Sequence, residues 1–269
     1  MRRLVHLSDL HFGRTDVGIV DAILEDVIKI KPDIAAISGD FTQRARSSQF
    51  KEAAEFLKRL PCPHIEIPGN HDIPLYDWRK RLLQPLRSYR RYINTDTNPI
   101  LVDSDVIIAG MNTVTRWRWK EGRVRLGQIA RVVAAWGNNT DAVRVMMLHH
   151  PPSAGLMRIT GLLRSKPDLI LSGHLHRGGA VVHPEGPVLV AAGTAISNRL
   201  RGGEANAYNV IEIEPHAGDR PHRVRIITRA WTGKQFDVLR TQEFEGQEGV
   251  WKLTSGPAAV HVEVSSGDR

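Results

Sequence analysis

The sequence predicts an α/β fold of two facing mixed β-sheets flanked by helices. Three observations carry that expectation. Up to about residue 171, short apolar runs alternate with stretches of helical periodicity, the pattern of strands packed under helices. After His176 the pattern changes to strands separated by Gly, Pro and Asn with no convincing helix between them. The chain has 269 residues, enough for one large domain with a full core and short for two.

LVHL (4–7) reads as the first strand. Val20, Ile23, Leu24, Val27 and Ile28 then recur at helical spacing. Lys31-Pro32 ends that helix, because proline disfavours a helical residue before it. IAAI (34–37) is a second strand, and Phe50, Ala53, Ala54, Leu57 and Leu60 form a second helical stripe that stops at Pro61. HIEI (64–67) is a third strand. Further on, VIIA (106–109), VRVMML (143–148) and DLIL (168–171) read as strands, and Ile129, Val132, Val133 and Trp136 as a helical stripe. VVH, VLVAA, YNVIEI and RVRIIT, all after His176, predict an antiparallel-rich second sheet packed on the first. Periodicity fades near Thr254, so residues 1–253 form the expected domain and 254–269 the expected flexible C-terminal tail.

Composition is that of an ordinary globular protein, 41% apolar and 25% charged. No apolar run reaches the ~20 residues of a membrane helix. The start, MRRLVHLSDLHFG, has no apolar core of a secretion signal, so a cytoplasmic location is the expectation. Cys62 is the single cysteine, which excludes an internal disulfide and fits a reducing compartment. The net charge of +8 fits an anionic partner or simply a solvated basic surface.

Residues competent for metal chemistry sit just after strands. Asp9 and His11 follow the first, and Gly39-Asp40 the second. Gly69-Asn70-His71-Asp72 follows the third, His149-His150 follows 143–148, and Gly173-His174-Leu175-His176 follows 168–171. Ligands of open α/β sheets bind at that end. In extended chain, residues i and i+2 point the same way, so Asp9 and His11 can face one point, and His174 and His176 likewise. Glycine at 39, 69 and 173 permits sharp turns and close backbone approach. Imidazole, carboxylate and amide oxygen without thiolate suit Mn²⁺, Fe²⁺/Fe³⁺ or Zn²⁺. Either histidine of the 149–150 pair could ligate on this reading.

The ordered set DLH, GD, GNHD, HHPP and GHLH, from Asp9 to His176, resembles the calcineurin-like metallophosphoesterase family. The resemblance implies the family's sandwich fold and a dinuclear metal centre. One ion would be held by Asp9, His11, Asp40 and His176, the other by Asp40, Asn70, His149 and His174, with Asp40 bridging. His71 would meet the phosphoryl and leaving oxygens as a catalytic residue, and Asp72 would orient its ring. The implied activity is metal-dependent phosphodiester hydrolysis, most like the bacterial cyclic-nucleotide and glycerophosphodiester phosphodiesterases. The alternatives are a nuclease, a nucleotide-sugar-lipid pyrophosphohydrolase, or a scaffold protein on the same fold.

Two basic stretches rich in aromatics bear on the partner. Residues 78–92 read as an amphipathic helical region interrupted at Pro85, and 116–125 alternates Trp117 and Trp119 with cations. Both fit an organic substrate arm, nucleic acid, a peripheral membrane contact, or a solvated face whose aromatics pack on the core. The run NRLRGG (198–203) is expected to be a loop near the site.

Overall fold

The computed structural model describes residues 1–258 except 118–120, 140, 153–158, 185, 201–202, 217–219 and 248. The chain opens with β1 (Arg2–Leu7), α1 (Val17–Ile30), β2 (Ile34–Ile37), α2 (Ser47–Lys58) and β3 (His64–Glu66). A 3-10 turn at Asn70–Asp72 leads into two short helices, α3 (Trp78–Leu83) and α4 (Arg87–Tyr92). Then come β4 (Ile100–Val102), β5 (Val106–Met111), α5 (Leu126–Trp136), β6 (Val143–Leu148), α6 (Ile159–Leu163) and β7 (Leu169–Ser172). The last strands are β8 (Gly179–Val182), β9 (Val188–Ala191), β10 (Ala207–Glu214), β11 (His222–Trp231), β12 (Phe236–Gln247) and β13 (Val250–Ser255).

Local chemistry explains the first elements. Asp16 caps α1 by accepting a hydrogen bond from the Gly18 N–H, and Ile23, Leu24 and Val27 bury its inner face. Lys31 closes the helix in the left-handed conformation (φ 53°), just before Pro32. The break at Pro85 separates α3 from α4 as the sequence predicts.

The strands form two mixed sheets. One has the order β13-β12-β11-β10-β1-β2-β3, the other β4-β5-β6-β7-β9-β8. β1, β2 and β3 are parallel, and so are β5, β6, β7 and β9. The sequence pattern assigns the strands after His176 to the second sheet; β8 and β9 do join it, and the structure corrects the assignment for β10 to β13. β10 adds antiparallel to the open edge of β1, and β11 to β13 extend that first sheet. The second sheet comes from the middle of the chain. Periodicity reports which face of a strand is buried, not which edge it joins, so pairing cannot be read from it.

Three apolar layers result. Between the sheets, Leu4, Ala36 and Ile67 of the first meet Val106, Ile108, Val145, Met147 and Leu171 of the second. The first sheet's outer face packs on α1, α2 and α4 through Ile23, Val27, Phe50, Phe56 and Tyr89. The second sheet's outer face packs on α5 and α6 through Val132, Trp136 and Leu162. Pattern loss expected from Thr254 falls inside β13, whose ladder with β12 reaches Ser255. None of the described helices is long and apolar enough to cross a membrane.

Candidate metal centre

The carboxyl ends of five strands from both sheets meet at one end of the sandwich. Asp9 and His11 follow β1, Asp40 follows β2, Asn70 follows β3, His149 follows β6, and His174 and His176 follow β7. The loops are knitted backbone to backbone. Asp9 N donates to Gly39 O (3.1 Å), His11 N to Asp40 O (2.9 Å) and Gly173 N to His149 O (3.1 Å).

Side chains converge in two groups. In the first, His176 Nε2 lies 3.2 Å from Asp9 Oδ1 and 3.3 Å from His11 Nε2. His11 Nε2 is 3.6 Å from Asp9 Oδ1 and 3.7 Å from Asp40 Oδ2. In the second, Asn70 Oδ1 lies 3.0 Å from both His149 Nε2 and His174 Nδ1. The other Asp40 oxygen, Oδ1, is 3.4 Å from His149 Nε2 and accepts the His71 N–H at 2.8 Å. One carboxylate thus stands between the two groups. All of these side chains are buried except His174, which is half-buried.

This convergence is not produced by extended backbone. Asp9 (φ 53°), His11 (49°), Asp40 (56°), His174 (71°) and His176 (60°) all adopt the left-handed region. Such conformations cost about 1–3 kcal/mol each for non-glycine residues and collect at functional sites. Asp9 and His11 still face one point. His174 and His176 do not: His176 joins Asp9 and His11, while His174 turns to Asn70 and His149. The i, i+2 rule holds only for extended chain, and none of these four residues is extended, so side-chain spacing alone does not set which way each one points. Gly173 allows the close approach, since a Cβ there would stand 1.9 Å from Ser8 Oγ and 2.6 Å from Asp9 Oδ2.

The donor set fits a metal. Asp9 Oδ1 is buried with no hydrogen-bond partner, although it faces two ring nitrogens. His149 Nδ1 donates to Ser38 O (2.8 Å) and His176 Nδ1 to Arg199 O (2.9 Å), which points each Nε2 inward, where a bound ion would take the place of a proton. Burial opposes the Asp9 anion, yet the facing His11 and His176 rings and the charge of His149 hold its pKa well below the usual carboxylate range. Burial also opposes a His149 cation, but Asp40 and Asp9 raise its pKa to about 9. Two buried carboxylates of this kind call for positive charge, and three overlapping sets of side chains hold ligand atoms within 4.8 Å of one another. These are Asp9–His11–His176, Asp9–Asp40–His149 and His149–His150–His174.

His150 keeps both readings of the histidine pair visible. Its Nδ1 pairs with Thr113 Oγ1 at 2.7 Å, its Nε2 is buried without a partner, and its ring lies 4.7 Å from that of His174. His149 is the one of the two that faces Asp40 and Asn70.

His71 and Asp72 differ from expectation. The Asp72 carboxylate accepts the N–H groups of Phe41 (3.2 Å), Thr42 (2.9 Å) and Gly69 (2.9 Å), so it ties two loops together. The His71 ring is oriented by a backbone carbonyl: Nδ1 donates to Gln43 O at 2.9 Å. Arg199 Nη1 then donates to His71 Nε2 at 2.8 Å. Burial, His11 and Arg199 lower the His71 pKa to about 4 against the pull of Asp40, which keeps the ring neutral. Gln43 and the role of Arg199 escape sequence reasoning. A carbonyl contact leaves no signature in residue identity, and only the basic run at 198–203 hints at Arg199.

Of the basic stretches, Tyr89 and Leu86 are core, whereas Trp78 (63% exposed) and Trp117 (77% exposed) face solvent. Arg118, Trp119, Lys120, Arg201 and Gly202 lie outside the described residues. A groove of about 800 Å³ is lined by Ile73, Leu83, Leu86, Arg87, Arg90 and Arg116 among others, and by none of the side chains that converge at the centre.

Comparisons with known proteins show the family and the fold. The family model for calcineurin-like phosphoesterases matches residues 2–178. A protein of Synechococcus sp. named "Probable cyclic nucleotide phosphodiesterase" is 24% identical over 201 residues, 65% of this chain and 73% of the relative. One of Arcobacter nitrofigilis named "Probable glycerophosphodiester phosphodiesterase" is 23% identical over 224 residues, 70% of this chain and 77% of the relative. Among solved structures, a dimetal phosphatase from Danio rerio superposes with a TM-score of 0.60 at 11% identity, covering 88% of this chain and 98% of that one, a likeness of fold.

Proposed function

Since the chain belongs to the calcineurin-like phosphoesterase family, we propose that it is a dinuclear metal-dependent phosphodiesterase. The observation that carries the reading is the placement of Asp40, with one oxygen toward His11 and the other toward His149. On this reading Asp9, His11, Asp40 and His176 hold one divalent ion, and Asp40, Asn70, His149 and His174 the other. Mn²⁺, iron and Zn²⁺ all suit these ligands. Such ions, when bound, neutralise phosphoryl charge and acidify a water for attack on phosphorus.

The chain's own groups supply the rest. Ser38 O and Arg199 O fix the tautomers of His149 and His176, so both rings present lone pairs. Gln43 O fixes the His71 ring at the rim, and His71 Nε2 in turn holds the Arg199 guanidinium. His71 and Arg199 form a pair that meets the phosphoryl and leaving oxygens, the guanidinium bringing charged N–H donors. No serine or cysteine nucleophile takes part in this scheme.

A diester is favoured over a monoester by the groove whose walls continue from the chain segments that carry Asp72 and Thr113. Ile73 follows Asp72 directly, and Asn112 and Val114 flank Thr113, the partner of His150. Aliphatic and basic side chains there give a second ester arm both contact and charge. The names of the two relatives point the same way, toward cyclic nucleotides or glycerophosphodiesters. The test is a substrate panel under saturating Mn²⁺: bis-p-nitrophenyl phosphate, p-nitrophenyl phosphate, cyclic AMP, glycerophosphodiesters and single-stranded DNA. Faster turnover of diesters is expected. Faster turnover of p-nitrophenyl phosphate than of its bis ester would leave a phosphomonoesterase instead.

A further inference from the structure

A second, smaller recess adjoins the centre at the His71 ring. Arg14, Gln43, Arg44, Asn198 and Arg199 line a cavity of about 350 Å³. Among the described residues its lining includes Arg14, Arg44 and Arg199 and no carboxylate. The walls are continuous with the metal centre. Gln43 O and Arg199 Nη1 hold the two nitrogens of His71, Arg199 O holds His176, and Arg14 N donates to His11 O at 3.0 Å. Three loops are locked together to build it. Asn198 N and Ser197 Oγ both donate to Arg14 O at 2.9 Å, and Gln43 N donates to Phe12 O at 3.0 Å. Arg44 is steadied over the Tyr76 ring, 5.7 Å from its centroid.

Three like charges around one recess repel one another, and an anion entering it relieves that cost. Guanidinium forks match the oxygens of phosphate and carboxylate, in pairs of hydrogen bonds that an alcohol cannot reproduce. A quaternary ammonium would meet only positive charge there.

We propose that this recess binds a second oxyanion, a phosphate or carboxylate, carried on one arm of the phosphodiester beyond the bond that is cut. The inference rests on the phosphodiesterase reading and narrows it. Substrates with an anionic arm are selected, and those with a cationic arm, such as choline esters, are refused.

The experiment uses the metal-loaded protein and four glycerophosphodiesters, whose second alcohol is glycerate, glycerol 3-phosphate, glycerol or choline. Release of the alcohol is followed by ³¹P NMR. The anionic diesters are expected to exceed the glycerol diester in kcat/KM by about tenfold or more, the worth of a charge-assisted hydrogen bond, with the choline diester last. The double variant R14A/R44A should erase that ranking, and the glycerate and glycerol 3-phosphate arms tell carboxylate from phosphate preference. Binding is read separately, by calorimetric titration of inorganic sulfate into the metal-loaded wild type and R14A/R44A. The variant should bind about tenfold more weakly. An unranked series that R14A/R44A leaves unchanged would overturn the proposal. So would equal or absent sulfate binding in both proteins. If no diester is cut at all, the phosphodiesterase reading fails, and the sulfate titration still decides the recess.

Discussion

Gly173→Ala is a severe test of how the metal-centre loops pack. Its added Cβ would sit 1.9 Å from Ser8 Oγ, 2.9 Å from Ser8 Cβ and 2.6 Å from Asp9 Oδ2. Ser8 Oγ donates to that same Asp9 oxygen at 2.7 Å, and the His174 N–H donates to it at 2.9 Å. Ser8 and Asp9 are fully buried, so neither can retreat into solvent. Overpacking of a tight site costs about 1–3 kcal/mol. Losing the charge-assisted Ser8–Asp9 hydrogen bond adds about 1.5–3 kcal/mol. The sum, about 2.5–6 kcal/mol, corresponds to a melting temperature lower by roughly 5–20 °C in a chain of this size. Urea unfolding of chelator-treated protein measures the packing cost alone, and metal analysis of loaded protein measures the displacement of Asp9. The companion variant Ser8→Gly/Gly173→Ala removes two of the three struck atoms and should recover part of the overpacking share. Gly173→Ala protein within about 0.5 kcal/mol of wild type, holding the same metal, would refute this packing.

Asp40→Asn should cost more metal than any other single ligand change, because Asp40 faces both donor groups; metal analysis should fall below two ions per chain. His71→Ala should keep the metals and, by releasing the Arg199 guanidinium that its Nε2 holds, lose about 10²–10³-fold in kcat. An unchanged kcat would remove both His71 and Arg199 from the reaction. Trp117→Ala should leave stability within about 0.5 kcal/mol, since the side chain is solvent-exposed, and raise KM for bulky diesters only. Unchanged KM for every substrate would place the specificity determinant away from Trp117.

Much of the site is legible in the sequence because the chemistry follows strand ends. Asp9, Asp40, Asn70, His149 and His174 are each announced by an apolar run and a polar turn, and the fold delivers them to one place. What fails are statements about direction and pairing. His174 and His176 part company in a loop that is not extended, so the i, i+2 rule does not govern them, and no side-chain type reveals that. β12 escapes the sequence pattern because only part of it is buried, and Val238 and Leu239 lie exposed among its charges. The C-terminal strands are assigned to the wrong sheet because the free edge of β1 is a property of the assembled fold. Asp72 receives the ring-orienting role that Gln43 O performs, since a side chain is visible in a sequence and a carbonyl contact is not.

The central claim is two ions bridged by one carboxylate. The most direct measurement is anomalous diffraction from crystals of the Mn²⁺-loaded protein, paired with metal analysis of the same preparation. The account predicts two peaks, one among Asp9, His11 and His176, the other among Asn70, His149 and His174, with Asp40 between them. A single peak in protein that cleaves bis-p-nitrophenyl phosphate at full rate, or a second peak held by His150 away from Asp40, would contradict it.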